Sequence, residues 1–451
     1  MMRSLYSGVS GLKVHQTKMD VIGNNIANVN TVGFKSSTVT FKDVFYQTTQ
    51  SASGPNETTG TGGQNAKQIG LGVSLGSISK NITSEGGSQR TDNPFDMKLS
   101  GDGFFIVNKA GVNYFTRAGA FTTDAAGNLV NGDGYNVMGW QADKDGNVIK
   151  DTVSKLTIKT ADKLQTAAAK TEKTSFTGNI NASDSSFVAT KDATGNITGY
   201  TGGITMSAQI YDSVGQQYLL TFNVAKTTTA NQYTVTPTSL KSADGTDYSK
   251  ALGIEKDADG KVTKEAAALT TLKFDANKGT VTAPADPVDL DINWQGANIA
   301  GRDKQTISFD FSGLTSVATE TSTHSSSDGK AVGIMTGVGV QTDGRIIAAY
   351  SNGDNVCIGQ IAVATFDNPA GLEAVGNTMY QTTMNSGTFD GIGEDVSAGG
   401  GSITTGVLEM SNVDLSTEFT EMITTQRGFQ ANSRIITVSD TMIEELTNLK
   451  R

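Results

Sequence analysis

At 451 residues the chain is long enough for two to four domains, each with a core of its own. Its formal net charge is −10, and since residues 1–30 carry +2 and 411–451 carry −2, the whole excess of acid lies in 31–410. An acidic middle argues against nucleic acid and anionic membrane as partners. One cysteine and two histidines exclude an intramolecular disulfide and a zinc ligand set, and no run approaches the roughly 18 apolar residues that span a bilayer.

The first element in chain order is a helix. Leu5, Leu12, Met19 and Ile26 recur every seven residues and Val9 and Ile22 fill the half-steps, which makes one face apolar. Such a stripe most often packs on its own domain. Here it lies at one extreme of the chain, and its helix-length counterpart lies at the other, so a pair of terminal helices is expected whose remaining faces meet neighbouring copies. The Asn-rich run Asn24 to Lys35, with Gly33 near its close, should end the helix. Residues 48–70 are Ser, Thr, Gly and Gln with little that is apolar. They read as an extended or flexible connector, taken as 31–70.

From 71 to 149 short apolar runs alternate with Gly and Asp/Asn turns. Phe104–Asn108, Tyr114–Thr116 and Tyr135–Trp140 read as strands of an antiparallel β-domain. Thr160–Thr174, rich in Ala and Lys, reads as more helical. A second β-region follows, with strands expected at Ser207–Tyr211, Tyr218–Val224, Tyr233–Thr236 and Gln305–Phe311, a surface excursion over Asp244–Lys264, and a linker at Thr321–Ser327. The first texture returns from Gly333, with a strand at Gly359–Phe366 and a turn at Asn368-Pro369. The expected architecture is mainly β with long terminal α-helices: paired coiled-coil-like helices (1–30 and 411–451), an extended connector (31–70 and 397–410), a discontinuous inner β-domain (71–149 and 328–396) and an outer β-domain inserted into it (150–327). In the last helix Met422, Phe429, Ile436 and Ile443 repeat every seven residues, joined by Phe419 and Leu446.

Few residues suggest chemistry, and the chain reads as no enzyme, without cofactor or catalytic residues. Neither His15 nor His324 sits in a nucleophile motif, and Gly101-Asp102-Gly103 lacks the lysine of a phosphate loop. Asp143-Lys144-Asp145-Gly146-Asn147 spaces three oxygen donors like a calcium loop. It has Val148 where that loop needs Gly and Ser154 where it needs Glu, so an Asp-Gly turn and no metal is expected. Trp140 and Trp294, one in each β-region, would be the residues to watch in a secreted carbohydrate-binding protein on a β-scaffold, but a core position is the commoner role for each. Cys357, in an apolar run, is expected to be a buried small hydrophobe.

The run Gly8-Val9-Ser10-Gly11-Leu12, followed by Asp20-Val21-Ile22-Gly23-Asn24-Asn25-Ile26-Ala27-Asn28-Val29-Asn30-Thr31-Val32-Gly33-Phe34-Lys35, resembles the N-terminal signature of bacterial flagellar axial proteins of the rod and hook. Ser411-Asn412-Val413-Asp414-Leu415-Ser416, with Met422-Ile423-Thr424-Thr425-Gln426-Arg427-Gly428-Phe429-Gln430-Ala431-Asn432 after it, resembles the matching C-terminal signature. Leu99-Ser100-Gly101-Asp102-Gly103-Phe104, Tyr350-Ser351-Asn352-Gly353 and Asn368-Pro369-Ala370-Gly371-Leu372 resemble hook proteins in particular. The resemblance covers roughly 1–145 and 330–451.

The resemblance implies a hook subunit: a homo-polymer forming a flexible curved tube that transmits torque and encloses an export channel lined by the terminal helices. It implies, as partners, the rod, hook-cap and hook–filament junction proteins and the flagellar type III export apparatus. The location implied is outside the cell, reached without a cleavable signal peptide, in keeping with the amphipathic rather than continuously apolar Met1–Ile26. Phe41-Lys42-Asp43-Val44-Phe45 resembles the Phe-x-x-x-hydrophobic motif with which such subunits engage the export gate, although a local packing pair at i, i+4 would look the same. The nearest alternative is a distal-rod subunit, forming a straight tube.

Overall fold

The computed structural model describes residues 2–449 apart from 56–59, 61, 144–145, 184–187, 192–196, 202, 228, 257–261, 296–301, 303 and 399, and over 188–191 and 197–201 the backbone alone. The chain is mostly β, with helices α1 (Met2–Ala27) near one end, a single turn α2 (Ala161–Leu164), and α3 (Leu415–Asn448) near the other. It divides into two compact units, the first of residues 1–163, 337–349 and 355–451 and the second of 164–336 and 350–354.

In the first unit, strands from the two halves of the sequence interleave in one antiparallel sheet. Its order runs Arg345–Tyr350, Asn355–Ile361, Asn136–Gln141, Phe104–Lys109, Val112–Thr116, Met379–Gln381, Glu373–Gly376. Phe104 to Val107 are sealed from water because the strand is covered on both faces, and a continuous apolar run is what such a strand needs. Phe115, Phe104, Tyr380 and Trp140 fill one core, with Phe115 meeting Phe366 edge-on at 4.8 Å. Trp140 is core, and its indole N–H donates to the carbonyls of Asp151 and Ile392. Two small ribbons join the late residues to the early ones: Ser402–Thr405 pairs with Met97–Ser100, and Val407–Glu409 with Ser88–Arg90. Half of the 397–410 stretch expected as connector is thus sheet.

The second unit packs a five-stranded antiparallel sheet built on Ile204–Tyr211, Gln217–Lys226 and Gln232–Ser242 with a four-stranded sheet in which Lys173–Asn181 and Gln305–Val317 run parallel. Ile204–Tyr211 alternates buried and exposed residue by residue, the period-2 pattern of a one-sided sheet. Phe176 stacks on Phe311 at 5.4 Å, and Trp294 lies 4.6 Å from Tyr218 in the same core.

Several local expectations need correction. Thr160–Thr174 is helical for one turn only, then passes to a short strand at Gln165–Thr166 and a long one from Lys173. Ala and Lys suit a helix, but a segment without a 3.6-residue apolar repeat has no face to bury. Thr321–Ser327 is not a linker: Ser322–Ser327 pairs with Asn179–Thr174 as an outer strand whose residues alternate half-buried and exposed. Asp244–Lys264 is not wholly a surface excursion, because Ser249, Ala251 and Ile254 are buried. Residues 46–50 and 67–70 form an antiparallel ribbon, so that stretch is extended as expected but paired. Lys144 and Asp145 lie outside the described residues. Beside them Asn147 N–H donates to Asp143 Oδ1 at 2.7 Å, as in an Asp-started turn. Cys357 is free and only half-buried, with Sγ 3.4 Å from the Gly359 carbonyl oxygen.

Candidate assembly surface

α1 and α3 lie side by side and antiparallel. Gly8 is level with Ile436 and Gly11 with Asn432; further along, His15 meets Gly428, Lys18 reaches Glu421 at 3.1 Å, and Asn25 donates to Glu418 Oε1 at 2.9 Å. The seam is not the large-residue stripe expected from the heptads. On α1 the buried positions are Gly8, Gly11, Val14, Ile22 and Asn25, and on α3 Thr425 and Ser439. Small residues let the backbones approach closely. A Cβ on Gly11 would stand 2.8 Å from Asn432 Nδ2, and one on Gly428 2.8 Å from His15 Nε2.

Of the residues singled out by the repeat, Ile22 is buried, while Leu5, Leu12, Met19, Ile26, Met422, Ile436 and Ile443 are half-buried. Val9, Phe419, Phe429 and Leu446 are exposed, Phe419 at 50% and Leu446 at 52%. With them on the outside of α3 are Ile423, Ile435, Val438 and Met442. The repeat therefore marks the flanks of the seam, and much of the apolar surface of the pair faces outward.

The helix pair is fixed to the sheet by polar residues whose roles the sequence did not disclose. Asn25 Nδ2 donates to the Ser37 carbonyl at 2.9 Å while its Oδ1 accepts from Ser37 N–H at 3.0 Å, so one side chain mimics a strand partner for the residue that follows the turn. Asn412 does the same from the other side: its Oδ1 accepts from Ser36 N–H at 2.7 Å and its Nδ2 donates to the Asn81 carbonyl at 2.8 Å. Asp414 then caps α3, accepting from Ser416 N–H at 2.8 Å and Thr417 N–H at 3.4 Å, which holds its carboxyl below the usual range.

Beneath these caps lies a buried ion pair. Lys35 Nζ is 2.8 Å from Glu409 Oε1, with side-chain exposures of 1% and 0%. The ammonium also donates to the Ser84 carbonyl at 2.7 Å, and Glu409 Oε1 accepts from Gly86 N–H at 3.1 Å. Burial pushes the Lys35 ammonium below its ordinary pKa, against the pull of Glu409. Gly33 and Gly86 make the close packing possible. Gly33, at φ +67°, has the Ala118 nitrogen 2.7 Å from where a Cβ would be, and at Gly86 a Cβ would be 1.8 Å from the Met410 carbonyl oxygen.

Phe41 sits on the Ser37–Asp43 strand, edge-on to His15 at 5.6 Å with Lys18 Nζ 5.9 Å from its ring centre; Phe45 lies beyond the strand and is 75% exposed. A side-chain pair at i, i+4 needs helical backbone, and this segment is extended, so local pairing does not explain the motif. Among the described residues no group of His, Cys, Asp and Glu could hold a metal ion, and no helix is long and apolar enough to cross a membrane.

Comparison with known proteins gives four family matches in chain order. Residues 5–35 match the flagella basal body rod protein model, 98–166 the flagellar hook protein FlgE/F/G D1 domain, 179–329 the flagellar basal body protein FlaE D2 domain, and 404–449 the flagellar basal body rod FlgEFG protein C-terminal model. The flagellar hook protein FlgE of Borreliella burgdorferi is 38% identical, with 100% of both chains covered. That of Treponema pallidum is 36% identical over the same full lengths, and the flagellar basal-body rod protein FlgG of Bacillus subtilis 31%. Among solved structures, the Helicobacter pylori flagellar hook protein FlgE2 covers 71% of this chain, and is itself covered in full, with a TM-score of 0.46 and 16% identity.

Proposed function

This chain belongs to the flagellar hook protein family, and from that premise we propose that its two terminal helices are the segments through which copies polymerise. It is a structural subunit of the bacterial flagellar hook. The observation that carries the assembly mechanism is the outward apolar surface of the helix pair, with Phe419, Ile423, Ile435, Val438, Met442 and Leu446 left exposed beside a seam of small and polar residues. Burying one such side chain is worth about 1.5–3 kcal/mol, and neighbouring copies of the same pair are the surface that supplies this burial.

In the tube the paired helices line the export channel, coiled against those of other copies. The residues expected to carry those contacts are Leu5, Val9, Leu12, Met19, Ile22 and Ile26 on α1 with Phe419, Met422, Phe429, Ile436, Ile443 and Leu446 on α3. The two β-domains form the outer layers, the outer one inserted in the inner, and slide against their neighbours as the tube bends and carries torque to the filament. Delivery is by the flagellar type III export apparatus, which Phe41 and Phe45 engage while the chain is extended. The rod, hook cap and hook–filament junction proteins are the heterologous neighbours.

Removal of Met422–Arg451 tests the mechanism. Concentrated full-length protein forms tubes visible by electron microscopy, whereas the truncated protein stays dispersed with both β-domains folded; tubes from the truncated chain contradict it. The rod relative favours one second reading, a subunit of a straight tube. Curvature of the assembled polymer decides between them, and a curved tube is expected.

A further inference from the structure

Within the first unit a cleft of about 510 Å³ opens between the turn that follows α1, the 131–133 turn and the Glu373–Gln381 hairpin. Its floor carries an unneutralised cation. Lys80, the last residue of the Val73–Lys80 strand, holds its Nζ 5.3 Å from the centre of the Tyr380 ring. Among the described residues no carboxylate pairs with it, and burial alone displaces the amine below its ordinary pKa. Tyr380 beneath it is itself sealed, its hydroxyl pushed up to about 12 chiefly by burial.

The walls add hydrogen-bond donors. Asn131 spends its Oδ1 on the N–H groups of Asp133 and Tyr135, which leaves its amide NH₂ for the cleft. Asn377, at φ +50° in the two-residue turn of the hairpin, lines the opposite wall. Asp133 is the one acid in the lining. A half-buried ammonium on an aromatic face, with amide groups around it, is the chemistry that recognises a carboxylate. Water takes about 30 Å³ per molecule, so the space fits the tip of a loop rather than a lone ion.

We propose that this cleft receives an acidic side chain from a second copy of the chain, which pairs with the Lys80 ammonium as subunits assemble. The inference rests on the assembly reading above, which brings copies into contact, and it deepens that reading by adding a site away from the helices. The chain's own surface supplies the ligand: acidic residues outnumber basic ones 45 to 35, and the excess lies in 31–410. The pairing adds a lateral contact between β-domains to the contacts the helices make.

Two measurements on full-length protein test it. Tubes grown from a mixture of nitrogen-15-labelled and unlabelled subunits are treated with a carbodiimide, which joins a contacting amine and carboxylate as an amide, and the digest is examined by mass spectrometry. The expected result is a mixed-isotope peptide linking Lys80 to an Asp or Glu of another copy. In parallel, Lys80→Gln raises the concentration needed for assembly about tenfold, and Lys80→Arg restores it, while the far-ultraviolet dichroism of all three matches. Tubes in which Lys80 forms no link between copies and Lys80→Gln assembles like the parent overturn the proposal and leave the assembly reading standing. A parent chain that forms no tubes at all overturns both.

Discussion

Glu409 meets Lys35 where neither side chain touches water, and the value of that contact is asymmetric. The pair adds little over a well-packed apolar pair, because two charges were stripped of water to make it, but either charge alone in that place is costly. Glu409→Ala therefore destabilises the first unit by about 3–5 kcal/mol in chemical denaturation, whereas Lys35→Met with Glu409→Leu recovers most of the loss. A double variant as unstable as the single would show that charge itself is required. Nothing in the sequence pointed to this pair: Lys35 and Glu409 are 374 residues apart, and periodicity finds faces, not partners. Asn25 and Asn412 were visible only as members of the two signatures. Their use as surrogate strand partners depends on a turn and a cap whose geometry no single segment specifies.

The two terminal helices were legible as elements, because a seven-residue apolar repeat specifies a helical face. Their mutual seam was not. The repeat drew attention to Leu5, Leu12, Phe429 and Ile436, but close approach favours residues with little side chain, so Gly8, Gly11, Thr425, Gly428 and Ser439 took the centre. The same bias toward large residues hid the Ser322–Ser327 strand, whose Ser, Thr and His side chains include no apolar member yet which pairs along six residues.

His15 makes the seam sensitive to acid. Its ring lies against Gly428 and Phe41, its Nδ1 is sealed without a partner, and Lys18, itself paired with Glu421, stands nearby. Burial first and Lys18 second hold its pKa below 6.5. The unfolded chain thus takes the proton before the folded one does. The contribution of His15 is full above pH 6.5 and is lost as pH falls through the lower folded value. In tubes, the protection factors of α1 and α3, which are free of the intrinsic slowing of amide exchange in acid, accordingly fall between pH 7.5 and 5 in the parent and fall less in His15→Gln. An equal fall in both would place the acid sensitivity elsewhere.

At the scale of the whole molecule, the β-units and the helix pair differ in what they can bury alone. The second unit closes a core of aromatic and aliphatic side chains within itself, with Phe222, Phe309 and Trp294 sealed. The helix pair is one seam deep, and helices with so little tertiary packing are marginal in water. On the proposed assembly, burial against neighbouring copies completes the fold of the ends. Strands after residue 333 were legible from the return of one texture, because Gly-punctuated apolar runs mark a sheet wherever they occur. The pairing of strands was not, since register arises between segments hundreds of residues apart.

Hydrogen exchange on free and polymerised protein, read segment by segment, tests this most directly. Assembly-coupled ordering predicts that in dilute subunits α1 and α3 exchange rapidly while the strands around Phe222 stay protected, and that in tubes both helices become as slow as those strands. Helices already as protected in the dilute subunit as in the tube would contradict it.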